Sequence, residues 1–277
     1  MGISEDKYRS LRQIPPFPAI ATKLLRALSH EDAHIREIVD LIRVDVSLSS
    51  ELLRVVNSPV YGFAGRISSI QSAVMLLGLD TVKSFALTVT MKGFLHAALR
   101  LDLLRRTWRH SLACAIVCEE ISGVVATPMG RDDRAYTAGL LHNIGALGLF
   151  VAHPKIYTEV VEEADGATLL DRERAAFGVD HCEAGQWLAA KWGLPAELQL
   201  AASGHHAPPD TAVFDLVDVV RLGVLLTDAL GFDVVTPAHP YTMCDIRALL
   251  PHTAQYRFDP DPVQMTARIT GRLDAFD

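Results

Sequence analysis

Residues 35–59 read IREIVDLIRVDVSLSSELLRVVNSP, and the spacing of their apolar side chains decides the fold class. Apolar residues recur at intervals of three and four, which places them on one face of a helix: Ile35, Ile38, Val39, Ile42, Leu48, Leu52, Leu53 and Val56. Asp45 and Ser47 interrupt this pattern and predict two helices, with one of these residues capping the second. The run Asn57-Ser58-Pro59 predicts the end of that helix, because proline cannot continue it.

The same helical periodicity continues on both sides of this stretch, and the alternation typical of strands is nearly absent. Ser68 and Gln71 have the spacing of a capping box, Gly78 predicts the end of the helix that follows, and Asp80 is placed to cap the next one. Farther along the chain, one continuous helix is predicted from Arg134 to Val151.

A last amphipathic helix is predicted over residues 260–276. We therefore predict an all-α protein in two helical parts. Residues 1–105 form an N-terminal helical subdomain, and residues 106–277 form a second helical subdomain that includes the C-terminal helix.

Charge and composition exclude several classes of protein. The 277 residues carry a formal net charge of −7, so the chain as a whole lacks the basic field of a nucleic-acid-binding protein. A local basic patch and a solvated helix face both remain open for Arg100, Arg105, Arg106 and Arg109. The four cysteines form no CxxC pair, which favours a reduced, cytoplasmic protein.

No apolar run is expected to be long enough to span a membrane, so the sequence predicts a soluble protein. The first ten residues, MGISEDKYRS, contain no apolar signal core. The longest apolar candidate, Leu216 to Val235, is interrupted by Asp218, Arg221 and Asp228.

Residues 139–148 read GLLHNIGALG and raise the question of chemistry. Histidine and carboxylate side chains that could ligate a metal recur through the second half of the chain, on predicted helices or at their ends: His110, His142, His181, His205, His206 and Asp228. Imidazoles with carboxylates are ligands for iron, manganese, zinc and nickel. Two dications about 3.5–4 Å apart need a bridging carboxylate, which would come from the residue after His142. That residue is Asn143, whose side chain offers one neutral carbonyl oxygen and no charge.

Long motifs occur in the order found in a known family. The segments PPFPAIA, IRVDVSLSSELLRVVNSPVYG and SIQSAVMLLGLDTVK are followed by WRHS, AGLLHNIG, DHCEAGQWLAAKWGLP, GHHAPP and LTDAL. Over roughly residues 11–230 the chain resembles bacterial HDOD output domains, which are related to the HD superfamily of metal-dependent phosphohydrolases. The resemblance implies an N-terminal helical subdomain packed on an HD-like helical subdomain, and a role in signalling.

The resemblance also assigns a vestigial metal set. His110 matches the first histidine of the superfamily, His142 matches the histidine of the His-Asp pair, and Asp228 matches the last aspartate. Asn143 replaces the aspartate of that pair. The additional histidines of the HD-GYP phosphodiesterases, which cleave cyclic di-GMP, correspond to His181, His205 and His206.

Two further departures from the HD-GYP pattern argue against cyclic di-GMP hydrolysis. The lysine that follows the His-Asp motif in that branch is Ala146 here. The sequence APPDTAV follows His206, where the glycine-tyrosine-proline turn of that branch would lie.

Three hypotheses follow from the sequence. The first is a non-catalytic regulatory module that recognises a signalling protein or a nucleotide-type signal, acts without nucleic acid or membrane, and is able to form a homodimer. The second is a phosphohydrolase with one divalent metal (iron, manganese, zinc or nickel) held by His110, His142 and Asp228. The third is a degenerate pocket that binds a nucleotide or a metal as a sensor. The first hypothesis expects no cofactor.

Overall fold

The structure is a computed structural model, and it describes residues 6–28, 35–63, 65–96, 98–125, 132, 134–207 and 214–276. Throughout these residues the regular secondary structure is helical, and they contain no strand. The prediction of an all-α protein is therefore confirmed.

The described residues form α-helices along the whole length of the chain. Their bounds are α1 Ala19–Leu28, α2 Ile35–Val44, α3 Val46–Val56, α4 Ile70–Leu77, α5 Leu79–Leu95, α6 Asp102–Val125, α7 Ala135–Leu141, α8 Ile144–Ala152, α9 Pro154–Glu162, α10 Leu169–Phe177, α11 His181–Lys191, α12 Ala196–Gly204, α13 Leu216–Ala229, α14 Met243–Leu249, α15 His252–Gln255 and α16 Pro262–Phe276. Short 3₁₀ helices are formed by Asp6–Tyr8, Leu11–Gln13, Pro59–Tyr61 and Ala98–Arg100.

The chain divides into two compact units. One unit, here called the histidine unit, comprises residues 1–16 and 97–266, and the other, here called the N-terminal unit, comprises residues 17–96 and 267–277. Chain order alone predicted a division between residues 105 and 106. The structural units differ from that division because the first residues of the chain belong to the histidine unit and the last helix ends in the N-terminal unit.

The N-terminal unit is built around a small aromatic core. The ring of Phe85 on α5 lies 5.5 Å from the ring of Phe276 in an edge-to-face arrangement and 5.2 Å from the ring of Tyr61. Phe85 and Phe276 are fully buried. Such aromatic pairs add to the free energy gained from burying apolar area, which explains why the last helix packs against α5.

The predicted helix boundaries in this unit are partly right. Asp45 caps α3 by accepting a hydrogen bond from the backbone N–H of Leu48. The capping box predicted at Ser68 is wrong, because Ser69 caps α4 and accepts from the backbone N–H of Ser72. Asp80 lies inside the first turn of α5, whose N-cap is Gly78, so the prediction of a cap at Asp80 is also wrong.

The helix predicted from Arg134 to Val151 is two helices. The chain leaves helical geometry at Asn143, where φ is −101° and ψ is 21°, and α8 begins at the next residue. Periodicity did not show this break because the apolar spacing continues across it. The break brings α8 against α11, and the two backbones approach so closely that a Cβ built on Gly145 would lie 1.8 Å from the carbonyl oxygen of His181.

The segment Ala135–Ala152, which contains α7 and α8, is long and apolar enough to cross a membrane by length and composition. The expectation that no segment passes this test is therefore wrong. In the structure 83% of this segment is buried inside the protein. Burial of this kind is typical of a core helix, in which apolar side chains contact other helices.

The contact between α8 and α11 predicts that Gly145→Ala destabilises the protein. The added methyl group meets backbone atoms, which cannot rotate away, so the helices must separate. We expect the free energy of unfolding to fall by about 2–3 kcal/mol, measured by chemical denaturation.

Gly123→Ala is the matched control, because a Cβ at this exposed position in α6 meets no atom within 4 Å. Alanine is the better helix former, so this variant should equal or exceed the wild type by up to about 1 kcal/mol. Equal stability of the Gly145→Ala variant and the wild type would contradict the close approach of the two helices.

Candidate functional site

The histidine unit contains a small cavity of about 60 Å³. Every residue that the sequence analysis proposed for a metal site lines this cavity: His110, His142, Asn143, His181, His205, His206 and Asp228. The structure therefore brings the proposed residues together. Their role as metal ligands stays a prediction.

The polar residues reach the cavity mainly from helix ends. His110 projects from the middle of α6, and Asp228 lies in the last turn of α13. His142 and Asn143 form the break between α7 and α8, and His181 is the first residue of α11. His205 and His206 follow the last residue of α12: His205 is the residue at its C-cap.

The side chains of His181, His205 and His206 form the tightest cluster. Each offers a ring nitrogen, and these atoms all lie within 4.8 Å of one another. The Nε2 atoms of His181 and His205 are 3.3 Å apart. Across the described residues no other set of three histidine, cysteine or carboxylate side chains converges in this way.

His110, His142 and Asp228 are close to one another but do not form a comparable cluster. The Nδ1 atom of His110 is 3.5 Å from Oδ1 of Asp228, but it is closer to the carbonyl oxygen of Phe232, at 3.0 Å. The ring centroids of His110 and His142 are 5.4 Å apart. The geometry therefore favours the three later histidines over the predicted set as the place for a single ion.

Hydrogen bonds to backbone carbonyl oxygens fix the tautomer of two buried imidazoles. His142 Nδ1 lies 2.7 Å from the carbonyl oxygen of Gly139, and His205 Nδ1 lies 3.0 Å from that of Ala202. A carbonyl oxygen only accepts, so each Nδ1 carries the proton and donates it. The Nε2 atoms of these two rings are then unprotonated, which is the tautomer that metal-binding histidines use. The donor set therefore fits a borderline divalent ion.

Burial favours the neutral forms of several side chains around the cavity. Burial lowers the pKa of His110 to about 4. Burial, together with the neighbouring histidines, also lowers the pKa of His205 well below its ordinary value. Burial and the nearby Asp233 raise the pKa of Asp228 to about 7. Neutral imidazoles are the form that ligates metals.

Asn143 leaves an acceptor without a partner. Its Oδ1 atom is buried and receives no hydrogen bond from the residues that the structure describes. A buried acceptor of this kind costs free energy unless water, an ion or another ligand satisfies it. At the position where the family resemblance places a carboxylate, the cavity wall therefore has a neutral amide whose oxygen has no hydrogen-bond partner among the described residues.

Glu173 on α10 and Tyr157 on α9 were missed by the sequence analysis. Glu173 is fully buried and accepts hydrogen bonds from the backbone N–H of His181 at 2.8 Å and from its Nδ1 at 2.7 Å. The Tyr157 hydroxyl donates to the other carboxylate oxygen at 2.9 Å. In the sequence Glu173 lies in DRERAAF, which reads as an ordinary charged helix face, so no pattern distinguished it.

His181 differs from the other histidines because of this carboxylate. Burial works against its charged form, but the adjacent Glu173 carboxylate raises the pKa of His181 well above its ordinary value. Burial and the same carboxylate raise the pKa of the Tyr157 hydroxyl. The charged groups of the site are thus His181 and Glu173, and His181 would have to lose its Nε2 proton to ligate an ion. Burial favours the neutral forms of His110 and His205.

Known proteins with the same fold cover nearly the whole chain. An HDOD domain protein of unknown function from Geobacter sulfurreducens covers 98% of this chain and is itself covered to 98%, with 23% identity and a TM-score of 0.70. A protein named as a candidate signal transduction protein, from Marinobacter aquaeolei VT8, covers 98% of this chain with 65% of its own length, at 21% identity and a TM-score of 0.76. At these identities the likeness shows the fold alone.

Sequence relatives are longer than this chain. An uncharacterised protein from Treponema pallidum is 28% identical over 200 residues, which are 71% of this chain and 38% of that protein. The uncharacterised protein YuxH of Bacillus subtilis is 31% identical over 90 residues, which are 30% of this chain and 22% of that protein. The matches thus span well under half the length of either relative.

The HDOD domain family matches residues 14–208, which is more than half of the chain. The matched residues include most of the cavity wall, from His110 to His206. With its helical fold and the pocket of converging histidines, this chain belongs to the HDOD family.

Proposed function

We propose that this chain is a non-catalytic signal-transduction module whose histidine pocket recognises a ligand and whose helical surface recognises a signalling protein. Asn143 is the single observation that carries the proposal. At the position where a dinuclear phosphohydrolase needs a bridging carboxylate, the pocket has an amide whose oxygen is buried and without a hydrogen-bond partner in the described chain. Without that charge, two dications about 3.5–4 Å apart would repel each other.

Several other features support this proposal. The Marinobacter aquaeolei protein of the same fold is named for signal transduction. The net charge of −7 is unfavourable for a nucleic-acid partner. The buried thiols of Cys114 and Cys118 are hydrogen-bonded at 3.7 Å and form no disulfide, as suits a reducing compartment such as the cytoplasm.

A second candidate function is a phosphohydrolase with one divalent metal. The convergence of His181, His205 and His206 favours it, because three imidazoles with an open position are a ligand set of catalytic zinc. When bound, such an ion supplies a more acidic water as nucleophile. The cavity of about 60 Å³ has room for an ion and a few waters and is far smaller than a nucleotide pocket.

Hydrolysis assays separate the two candidates. We expect the wild-type protein, supplied with Mn²⁺ or Fe²⁺ under anaerobic conditions, to release no p-nitrophenolate from bis(p-nitrophenyl) phosphate above a protein-free metal control. The physical reason is the missing charge at Asn143. Turnover that exceeds this control and disappears in a His205→Ala variant would contradict the non-catalytic proposal and establish the hydrolase.

A carboxylate at position 143 should strengthen ion binding. Asn143→Asp places a charged oxygen in the wall of the pocket, so we expect the affinity for Mn²⁺ or Zn²⁺ to rise by about tenfold or more, measured by competition with a chromophoric chelator. Charged oxygen is the ligand that the pocket lacks at this position.

Gln186→Glu is the matched control, because it makes the same change from amide to carboxylate at an exposed position on α11. Its metal affinity should equal that of the wild type. If Asn143→Asp also leaves the affinity unchanged, position 143 does not face the bound ion and the central observation of this proposal loses its meaning.

A further inference from the structure

The negative charge near the histidine cluster does not come from position 143, where the family pattern has an aspartate. An ion held by imidazoles alone is poorly stabilised, because an imidazole that ligates an ion is neutral and a low local dielectric strengthens the need for a compensating anion. The cluster of His181, His205 and His206 consists of imidazoles, and position 143 is an amide. Asp228 lies beside His110 rather than beside this cluster.

Glu173 is the carboxylate that contacts the cluster. It reaches the cluster from outside the cavity wall, through the Nδ1 side of His181, at 2.7 Å. It is 0% exposed, so its charge is not screened by water. A carboxylate at this position is also favoured by the N-terminus of α11, where its Oε2 accepts the backbone N–H of His181 at 2.8 Å.

Both oxygens of Glu173 are held, so the orientation of His181 is held as well. The Tyr157 hydroxyl donates a hydrogen bond to Oε1 at 2.9 Å, while Oε2 accepts one from Nδ1 of His181. Because Nδ1 is engaged by the carboxylate, the opposite nitrogen of the ring, Nε2, faces the cluster and lies 3.3 Å from Nε2 of His205. Rotation of the ring would break the bond at Nδ1 and leave a buried carboxylate oxygen short of a donor.

We propose that Glu173, supported by Tyr157, is the positioning residue of the ion site: it orients His181 toward His205 and His206 and supplies the negative charge that Asn143 does not. This inference rests on the proposed function, with a divalent ion as the ligand that the histidine pocket recognises. It extends the general rule that a carboxylate behind a metal-binding histidine fixes the tautomer of the ring and strengthens it as a ligand.

Substitutions at Glu173 separate charge from orientation. Glu173→Gln keeps an acceptor for His181 Nδ1 but removes the charge, and Glu173→Leu removes both. We expect the affinity for Mn²⁺ or Zn²⁺, measured by competition with a chromophoric chelator, to fall about tenfold in the first variant and about 100-fold in the second. Tyr157→Phe should weaken binding less, because Glu173 keeps its contacts with His181.

Glu162→Gln is the matched control, since it removes the same charge from an exposed position on α9. Its affinity should equal that of the wild type. Affinities within twofold of the wild type in both Glu173 variants would overturn the inference. If Glu173→Leu does not fold, Glu173→Gln and Tyr157→Phe decide the outcome, because both keep the shape of the residue that they replace.

A second measurement tests orientation in the metal-free protein. The Nδ1 proton of His181 should give a downfield ¹H NMR signal that exchanges slowly with solvent, assigned by its loss in His181→Ala. We expect the signal in the wild type, Glu173→Gln and Glu162→Gln, and its loss in Glu173→Leu. A merely structural role of Glu173 does not predict the loss of this signal. A folded Glu173→Leu protein that keeps the signal would therefore overturn the positioning role.

The two measurements also distinguish this inference from the proposed ion site. A wild-type protein that binds neither ion but shows the protected proton would refute the ion site, while the orientation of His181 by Glu173 would stand. A wild-type protein that binds the ion tightly but lacks the protected proton would leave the ion site intact and refute the role of Glu173.

Discussion

The pocket depends on one constraint: the Nδ1–H group of each buried imidazole must donate a hydrogen bond to an oxygen inside the protein. Backbone carbonyl oxygens accept from His110, His142 and His205, and the Glu173 carboxylate accepts from His181. Since an unsatisfied buried donor costs about 1–3 kcal/mol, these bonds make the burial of several histidines tolerable. They also leave Nε2 as the available atom, which turns a structural requirement into a possible ligand set.

The acceptors explain why the site residues cluster at helix ends. A carbonyl in the last turn of a helix has no partner within the helix. The carbonyl oxygens of Gly139 and Ala202 therefore accept hydrogen bonds from histidines three residues later in the chain. The break at Asn143 creates such a helix end, because it ends α7 beside the cavity. It also allows α8 to pack on α11. The close contact at Gly145 then holds the start of α11, and with it His181, against the site.

Charge distinguishes this pocket from a two-metal centre. The neutral amide of Asn143 faces a cavity in which burial also favours the neutral forms of His110 and His205. The buried charge instead lies behind His181, in the Glu173 carboxylate. An arrangement with its anion outside the ligand sphere suits the binding of one ion more than the bridging of two, which is why the proposed role is recognition and signalling.

The amino-acid sequence by itself determined the helical class, a cap at Asp45 or Ser47, and the seven polar residues proposed for the site, because helical periodicity, capping and family motifs are local properties of the chain. The tertiary structure decided which histidines converge, where the helix breaks at Asn143, and that Glu173 and Tyr157 belong to the site. Glu173 has the same local sequence signature as an exposed helix residue. Its role arises only from the packing of α10 against the start of α11, a contact between helices that no spacing within one helix can encode.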